Sequence, residues 1–371
     1  MPVGQFCWLF SRPGCYNCQI MGEGKLKVGI VGASGYSGEV LLKVLAGHSG
    51  VDLAAVTSRK HAGAPIAEVV PALRGRLAES KFIESQPAAL AARQDIDVWF
   101  LALPHGVAAA FARPLVQAGK RVIDLSADFR LNSEACYQAF YGKPHPDPAL
   151  MQQARYVLPE IEIDDAWREA PLIACPGCYP TSVLVPLVPL LRDEVIGTDQ
   201  IVIYSLSGVS GAGKQAQEYY SFCERAESCL PYGIPKHRHL SEIEEQLSAA
   251  ARAEIRVQFL PHLVPMRRGI VTTITVPAHG KPLATVYSHW ASVYNQCPFI
   301  CVLPPGVLPD TAHVVGTNRI DIAATYDART DNFIFNSAED NLLKGASGQA
   351  VQIMNRWFQL PEILGLVQIG V

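Results

Sequence analysis

The chain has no long apolar run, no excess of either charge and no cysteine framework, and each absence removes a class of function. No apolar stretch reaches the ~18 continuous residues of a membrane span, so a membrane partner is not expected. Lys and Arg number 31 against 34 Asp and Glu, a net charge of −3, which lacks the basic field that nucleic acid attracts. Ten cysteines are scattered from Cys7 to Cys301 at no regular spacing, which predicts reduced thiols in the cytoplasm. Cys15 and Cys18 have metal-ligand spacing, but no second pair or nearby His completes a site, and no metal is expected. Residues 1–24 include a short apolar run without the basic start or small-residue cleavage site of a signal peptide, and read as an extension the fold does not need.

What is present suffices for two cores, since 371 residues of which 49% are apolar exceed one ordinary domain. Lys25–Val31 is a short strand-like run. The turn Gly32-Ala33-Ser34-Gly35-Tyr36-Ser37-Gly38 follows it, and Glu39–Ala46 then has helical apolar spacing. Strand, glycine turn and helix open a dinucleotide-binding unit, in which the backbone approaches a pyrophosphate at a helix N-terminus. The second strand, Asp52–Val56, ends in Thr57-Ser58-Arg59-Lys60. Ser58 and Arg59 in place of an acidic residue favour NADP over NAD; the competing reading is a solvated basic turn. Further strand–loop–helix units at 97–112 and 121–130 place His105, Ser126 and Asp128 at carboxyl ends of parallel strands, where such sheets bind ligands. Residues 136–165 read as a covering loop.

Cys178 lies in Cys175-Pro176-Gly177-Cys178-Tyr179-Pro180-Thr181-Ser182, a tight turn that feeds an apolar helix. The positive end of that helix is expected to lower the thiol pKa and leave a nucleophilic thiolate. Downstream, strands at 200–206 and 270–276 and near 300–303 and 319–324 suggest an antiparallel sheet. The loop Ser207–Lys214 offers backbone amides and a cation to an anion. In an extended segment His237 and His239 point to one side, which would let one face the thiolate as acid and base; the competing reading is an exposed polar turn. Ser241 and Glu244 read as a capping box that opens the next helix. Arg267 and Arg268 are positioned to meet an anionic substrate or to salt-bridge at a strand start, and Lys214 joins them as a candidate substrate cation. Residues 338–352 read as a small-residue helix that returns to the cofactor domain.

Together the motifs Gly32–Gly38, Leu125–Arg130, Pro176–Thr181, Ser207–Gly213, His237–His239, Pro261–Gly269 and Lys344–Ala346 closely resemble the N-acetyl-gamma-glutamyl-phosphate reductases of arginine biosynthesis. The resemblance spans about residues 25–360, and one position departs from it: Cys175 stands where the family usually carries Asn. It implies an α/β chain, with a Rossmann domain over 25–174, an α+β catalytic domain with a mixed or antiparallel sheet over 175–337, and a C-terminal helix over 338–371. It also implies a homo-oligomer, dimer or tetramer, that acts on a small-molecule substrate with NADP. Cys178 is then the nucleophile that forms a thioester, with His239 or His237 as acid and base. Gly32, Ser34, Gly35, Tyr36, Ser37, Gly38, Ser58, Arg59, Ser126 and Asn341 hold the cofactor; Lys214, Arg267 and Arg268 hold the substrate. The rival readings are a sister acyl-phosphate reductase and a non-catalytic NADP-binding regulator.

Overall fold

The computed structural model describes residues 24–214, 216–367 and 369. The expected extension, with Cys15 and Cys18, lies outside them apart from Gly24. Six strands form a wholly parallel sheet: β1 (Leu26–Val31), β2 (Val51–Val56), β3 (Val98–Leu101), β4 (Arg121–Asp124), β5 (Arg155–Tyr156) and β6 (Leu172–Ala174). Their order is β2-β1-β3-β4-β6-β5. β3 and β6 are buried along their whole length, as strands covered on both faces must be. The strand order reverses between β1 and β3, and there such a sheet opens its crevice.

Seven strands form the second sheet: β7 (Val202–Gly208), β8 (Leu230–Pro231), β9 (Gln258–Val264), β10 (Ile270–Pro277), β11 (Ile300–Val302), β12 (Ile320–Asp327) and β13 (Asn332–Glu339). Their order is β11-β12-β13-β10-β7-β9-β8. The centre is antiparallel, but β7 pairs with β9, and β11 with β12, in parallel, so the sheet is mixed. The long crossover from β7 to β9 carries a helix, and a helix returns the chain in its starting direction.

Four helices matter to the site: α1 (Tyr36–Ala46), α2 (Cys178–Arg192), α3 (Arg238–Ala251) and α4 (Gly348–Trp357). α2 is buried at every position from Tyr179 to Leu191 and packs into the core of the mixed sheet. It contains Pro186 and Pro189, each of which removes the amide that would bond the carbonyl four residues earlier. Side chains replace those bonds: the Ser337 hydroxyl donates to the Ser182 carbonyl at 2.7 Å, and the Tyr294 hydroxyl donates to that of Val185. A proline-bearing helix is thereby tolerated in a core, with Cys178 at its first position.

Three local expectations change. α3 begins at Arg238 rather than at Ser241, because His237 is its N-cap, with Nδ1 accepting the His239 amide at 3.1 Å. His237 and His239 thus open a helix instead of lying in an extended segment. Ala338 and Glu339 complete β13, opposite Val271 and Ile270, and the chain becomes helical only through a wide turn at Leu343–Ser347. The 136–165 stretch holds two short helices, Glu134–Tyr141 and Pro148–Met151, as well as β5.

α4 packs its Ala350, Val351, Ile353, Met354 and Trp357 into the core of the parallel sheet, and the Ser347 hydroxyl donates to the Ser37 carbonyl at 2.7 Å. No helix among the described residues is long and apolar enough to cross a membrane.

Candidate active site

The glycine turn is shaped by steric necessity at two of its three glycines. Gly32 has φ +86°, and a Cβ there would lie 2.4 Å from the Ala102 carbonyl oxygen; a Cβ on Gly38 would lie 2.3 Å from the Gly32 oxygen. α1 is thereby drawn onto the end of β1. Gly35 caps α1 with extended dihedrals and open space above it, so the amides of the first turn face outward. The Ser58 hydroxyl donates to Ser34 Oγ at 2.9 Å and ties the β2 end to the same turn, while Arg59 stands exposed beyond it.

A cleft of about 880 Å³ runs from this turn to Cys178. Gly35, Tyr36, Ser37 and Gly38 line one end, with Lys214 beside them over the Tyr36 ring; Cys178, His237, His239 and Arg238 line the other. Cys178 is the first residue of α2, as its turn predicts. The turn is held from both sides by a buried ion pair, Arg130 Nη1 to Glu242 Oε2 at 3.1 Å. Arg130 Nε donates to the Cys175 carbonyl at 2.9 Å, while Glu242 Oε1 accepts the Gly177 amide at 2.8 Å and the Tyr156 hydroxyl at 3.0 Å. His239 Nε2 lies 2.7 Å from the point a Gly177 Cβ would occupy, and Arg130 Nη1 2.6 Å from it, so only glycine fits beneath the imidazole. His239 Nδ1 is buried without a hydrogen-bond partner among the described residues.

The electrostatics correct one expectation. Burial pushes the Cys178 thiol up to about 12, and Glu339 pushes it the same way, against the Tyr179 amide and Arg130, which lower it. The helix end alone does not leave a thiolate, because burial and nearby carboxylates outweigh its dipole. Burial likewise holds His239 well below the usual imidazole range, and His237 at about 4. Sulfur and imidazole are therefore a neutral pair at rest. Cys175 is fully buried in the core of the parallel sheet, where burial raises its thiol to about 12.

Four expected site residues stand elsewhere. Arg267 and Arg268 line a neighbouring groove of about 800 Å³ instead of the Cys178 cleft, and Arg268 Nε is paired with buried Asp340 at 2.5 Å. Lys214 borders both spaces and pairs with Glu39 at 2.6 Å. Asn341 is used internally: it accepts the Gly269 amide at 2.8 Å and donates to Ser210 Oγ at 3.0 Å. Ser126 is 5% exposed, its hydroxyl donating to Asp124 Oδ2 and accepting the Asp128 amide. Asp128 in turn caps the 106–109 loop through the amides of Gly106 and Ala109. His105 does reach the cleft, where it meets Arg238 Nη1 at 2.7 Å.

Arg130, Arg238, Glu242 and Glu339 were not singled out from the sequence. Glu242 carried a usable signal, since it lies three residues after His239 and shares its helix face.

Residues 27–168 match the semialdehyde dehydrogenase NAD binding domain and residues 178–341 the semialdehyde dehydrogenase dimerisation domain. The N-acetyl-gamma-glutamyl-phosphate reductase of Akkermansia muciniphila is 48% identical over 92% of this chain and 99% of its own length. That of Geobacter sulfurreducens is 47% identical over 92% and 98%. In fold the chain is similar to aspartate semialdehyde dehydrogenase II of Vibrio cholerae, with TM-score 0.67 at 19% identity, covering 90% of this chain and 98% of that one. With a glycine turn, a cysteine at the first position of a helix and a histidine in one cleft, and relatives this similar along nearly the whole chain, the protein belongs to the N-acetyl-gamma-glutamyl-phosphate reductase family.

Proposed function

We propose that the chain reduces N-acetyl-gamma-glutamyl phosphate to N-acetyl-glutamate 5-semialdehyde, with NADPH as reductant and phosphate as the leaving group. The observation that carries this reading is that Cys178 and His239 share one cleft with the Gly32–Gly38 turn. The turn fits a dinucleotide: positive φ at Gly32, close helix approach at Gly38 and the first-turn amides of Tyr36 and Ser37 make a cradle for a pyrophosphate. Arg59, exposed at the end of β2, would hold the 2′-phosphate, while the buried Ser58 hydroxyl is engaged by Ser34 and the His61 amide.

In the proposed reaction Cys178 passes its proton to His239, and the sulfur attacks the acyl carbon. The carbon–oxygen bond to phosphate breaks, and a thioester forms on Cys178. NADPH supplies the hydride that reduces this thioester. His239 returns its proton to the oxygen and later removes it as the carbon–sulfur bond breaks, releasing aldehyde and regenerating the sulfur. His239 is preferred to His237, whose Nδ1 is committed to the cap of α3. Arg238 and Lys214, which line the Cys178 cleft, receive the substrate's anionic groups in place of Arg267 and Arg268.

We further take 25–174 as the cofactor unit, 175–337 as the catalytic unit and 338–371 as the returning segment of a cytoplasmic homo-oligomer. The mixed sheet supports assembly: Val202, Tyr204, Leu206, Val271 and Ile334 lie on its less buried face, and Tyr204 is 43% exposed. The test is the reverse reaction. NADP should be reduced in the presence of phosphate and N-acetyl-glutamate 5-semialdehyde, and not with aspartate semialdehyde; the opposite preference would defeat the substrate assignment.

A further inference from the structure

Glu339 ends β13 with its side chain fully buried, and neither carboxyl oxygen has a hydrogen-bond partner among the described residues. Its charged and titratable neighbours are engaged elsewhere. Lys344 donates to Glu160 at 2.5 Å and to Gln352 at 2.8 Å, and Asp340 accepts Arg268 and the amides of Gly316, Leu342 and Leu343. Across Gly345 lies the nucleophile. The point that a Gly345 Cβ would occupy is 2.6 Å from Cys178 Cβ and 2.7 Å from Glu339 Oε1, so a gap of atomic size separates the two residues.

A carboxylate without donors in a dry site keeps its proton, because its charge has nothing to replace water. Burial, Asp340 and Glu160 all raise the Glu339 pKa, and only Lys344 opposes them. The charged and titratable groups facing Cys178 are Glu339, Arg130, Glu242, Tyr179 and Tyr232, with His239 in the same cleft, and among the charges Glu339 raises the thiol most.

We propose that Glu339 is a positioning residue that lets this pocket carry a single negative charge, so that Cys178 ionises readily only while Glu339 is protonated. In the productive state Glu339 holds its proton and Cys178 transfers its own to His239. Once Glu339 has ionised, the sulfur keeps its proton to higher pH, and the two groups titrate in coupled steps. This rests on Cys178 being the reactive thiol, but not on which substrate it meets.

The test is alkylation of the intact protein by iodoacetamide from pH 5 to pH 10, read at the Cys178 peptide by mass spectrometry and requiring neither substrate nor cofactor. In the wild type the logarithm of the rate should rise with pH and then bend as Glu339 loses its proton. In Glu339→Gln the bend should disappear, and labelling at the alkaline end should be about threefold to tenfold faster. Glu339→Asp, which restores a carboxylate, should restore the bend. If the amide variant does not fold, Glu339→Leu, uncharged and apolar, carries the same expectation. Identical profiles in the wild type and a folded uncharged variant would overturn the proposal. A failed semialdehyde assay with an intact labelling pattern would instead count against the substrate reading alone.

Discussion

The first turns of α1 and α2 have nearly the same backbone and opposite surroundings. Gly35 caps α1 at φ −74°, ψ 169°, and Gly177 caps α2 at φ −75°, ψ 160°. A Cβ on Gly35 would meet nothing closer than 3.9 Å, whereas one on Gly177 would run into Arg130 and His239. Both helix ends carry the same partial positive charge. The first offers it to an outside anion. The second already holds a carboxylate, Glu242, against the Gly177 amide and is packed over by Tyr179 and the two imidazoles. The dipole of a helix end is thus a constant of the backbone, and what it does to a thiol or a phosphate is set by how much water and how many carboxylates stand near it.

The largest break in this comparison should come from Gly177→Ala. The added methyl displaces His239 or Arg130, and kcat/KM should fall about a hundredfold, since misplacement by an ångström costs roughly that much.

That prediction depends on contacts the sequence did not reveal. The glycine turn and the Cys178 turn were legible because each is contiguous: strand, turn and helix follow one another and need no distant partner. The Arg130–Glu242 pair joins residues 112 apart, and no periodicity reports it. The start of α3 was misplaced because Ser241 is the commoner cap, while the observed one is an imidazole nitrogen of His237. Glu339 was hidden in a run read as helix, since Ala338 and Glu339 have good helix propensity, and sheet pairing of Glu339 with Ile270 and Ile320 overrides it. Arg267 and Arg268 looked like substrate cations from charge alone, but Asp340 claims Arg268.

Arg59→Ala addresses the open helix end. With the 2′-phosphate as its only proposed partner, the variant should raise KM for NADPH about tenfold and leave that for NADH nearly unchanged. Equal changes would remove the NADP preference from this residue.

The two halves should also differ in the sign of their pH response. Asp124, at the end of β4, is raised to about 7 by burial and by Asp128. Its contribution to folding is therefore present at low pH and lost as pH rises towards 7. His237 is lowered to about 4 by burial and by Arg238, so its contribution is full above the unfolded imidazole range and is lost as pH falls towards 4. Against Asp124→Asn, the wild type should lose Tm as pH is raised from 4 to 7.5. Against His237→Asn, which keeps a capping acceptor, it should lose Tm as pH is lowered from 7 to 4. Parallel curves in either pair would contradict the corresponding burial argument.

The smallest effect is expected from Gly35→Ala. Its φ is ordinary and its surroundings are open, so folding stability should stay within about 0.5 kcal/mol of the wild type.

The central claim is that the sulfur of Cys178 takes the acyl group. Mass spectrometry of the protein mixed with N-acetyl-gamma-glutamyl phosphate in the absence of NADPH tests it most directly. An N-acetyl-glutamyl adduct on the Cys178 peptide, absent from Cys178→Ser, is the expected result. An adduct on Cys175 or another thiol, or none on an enzyme that turns over, would contradict it.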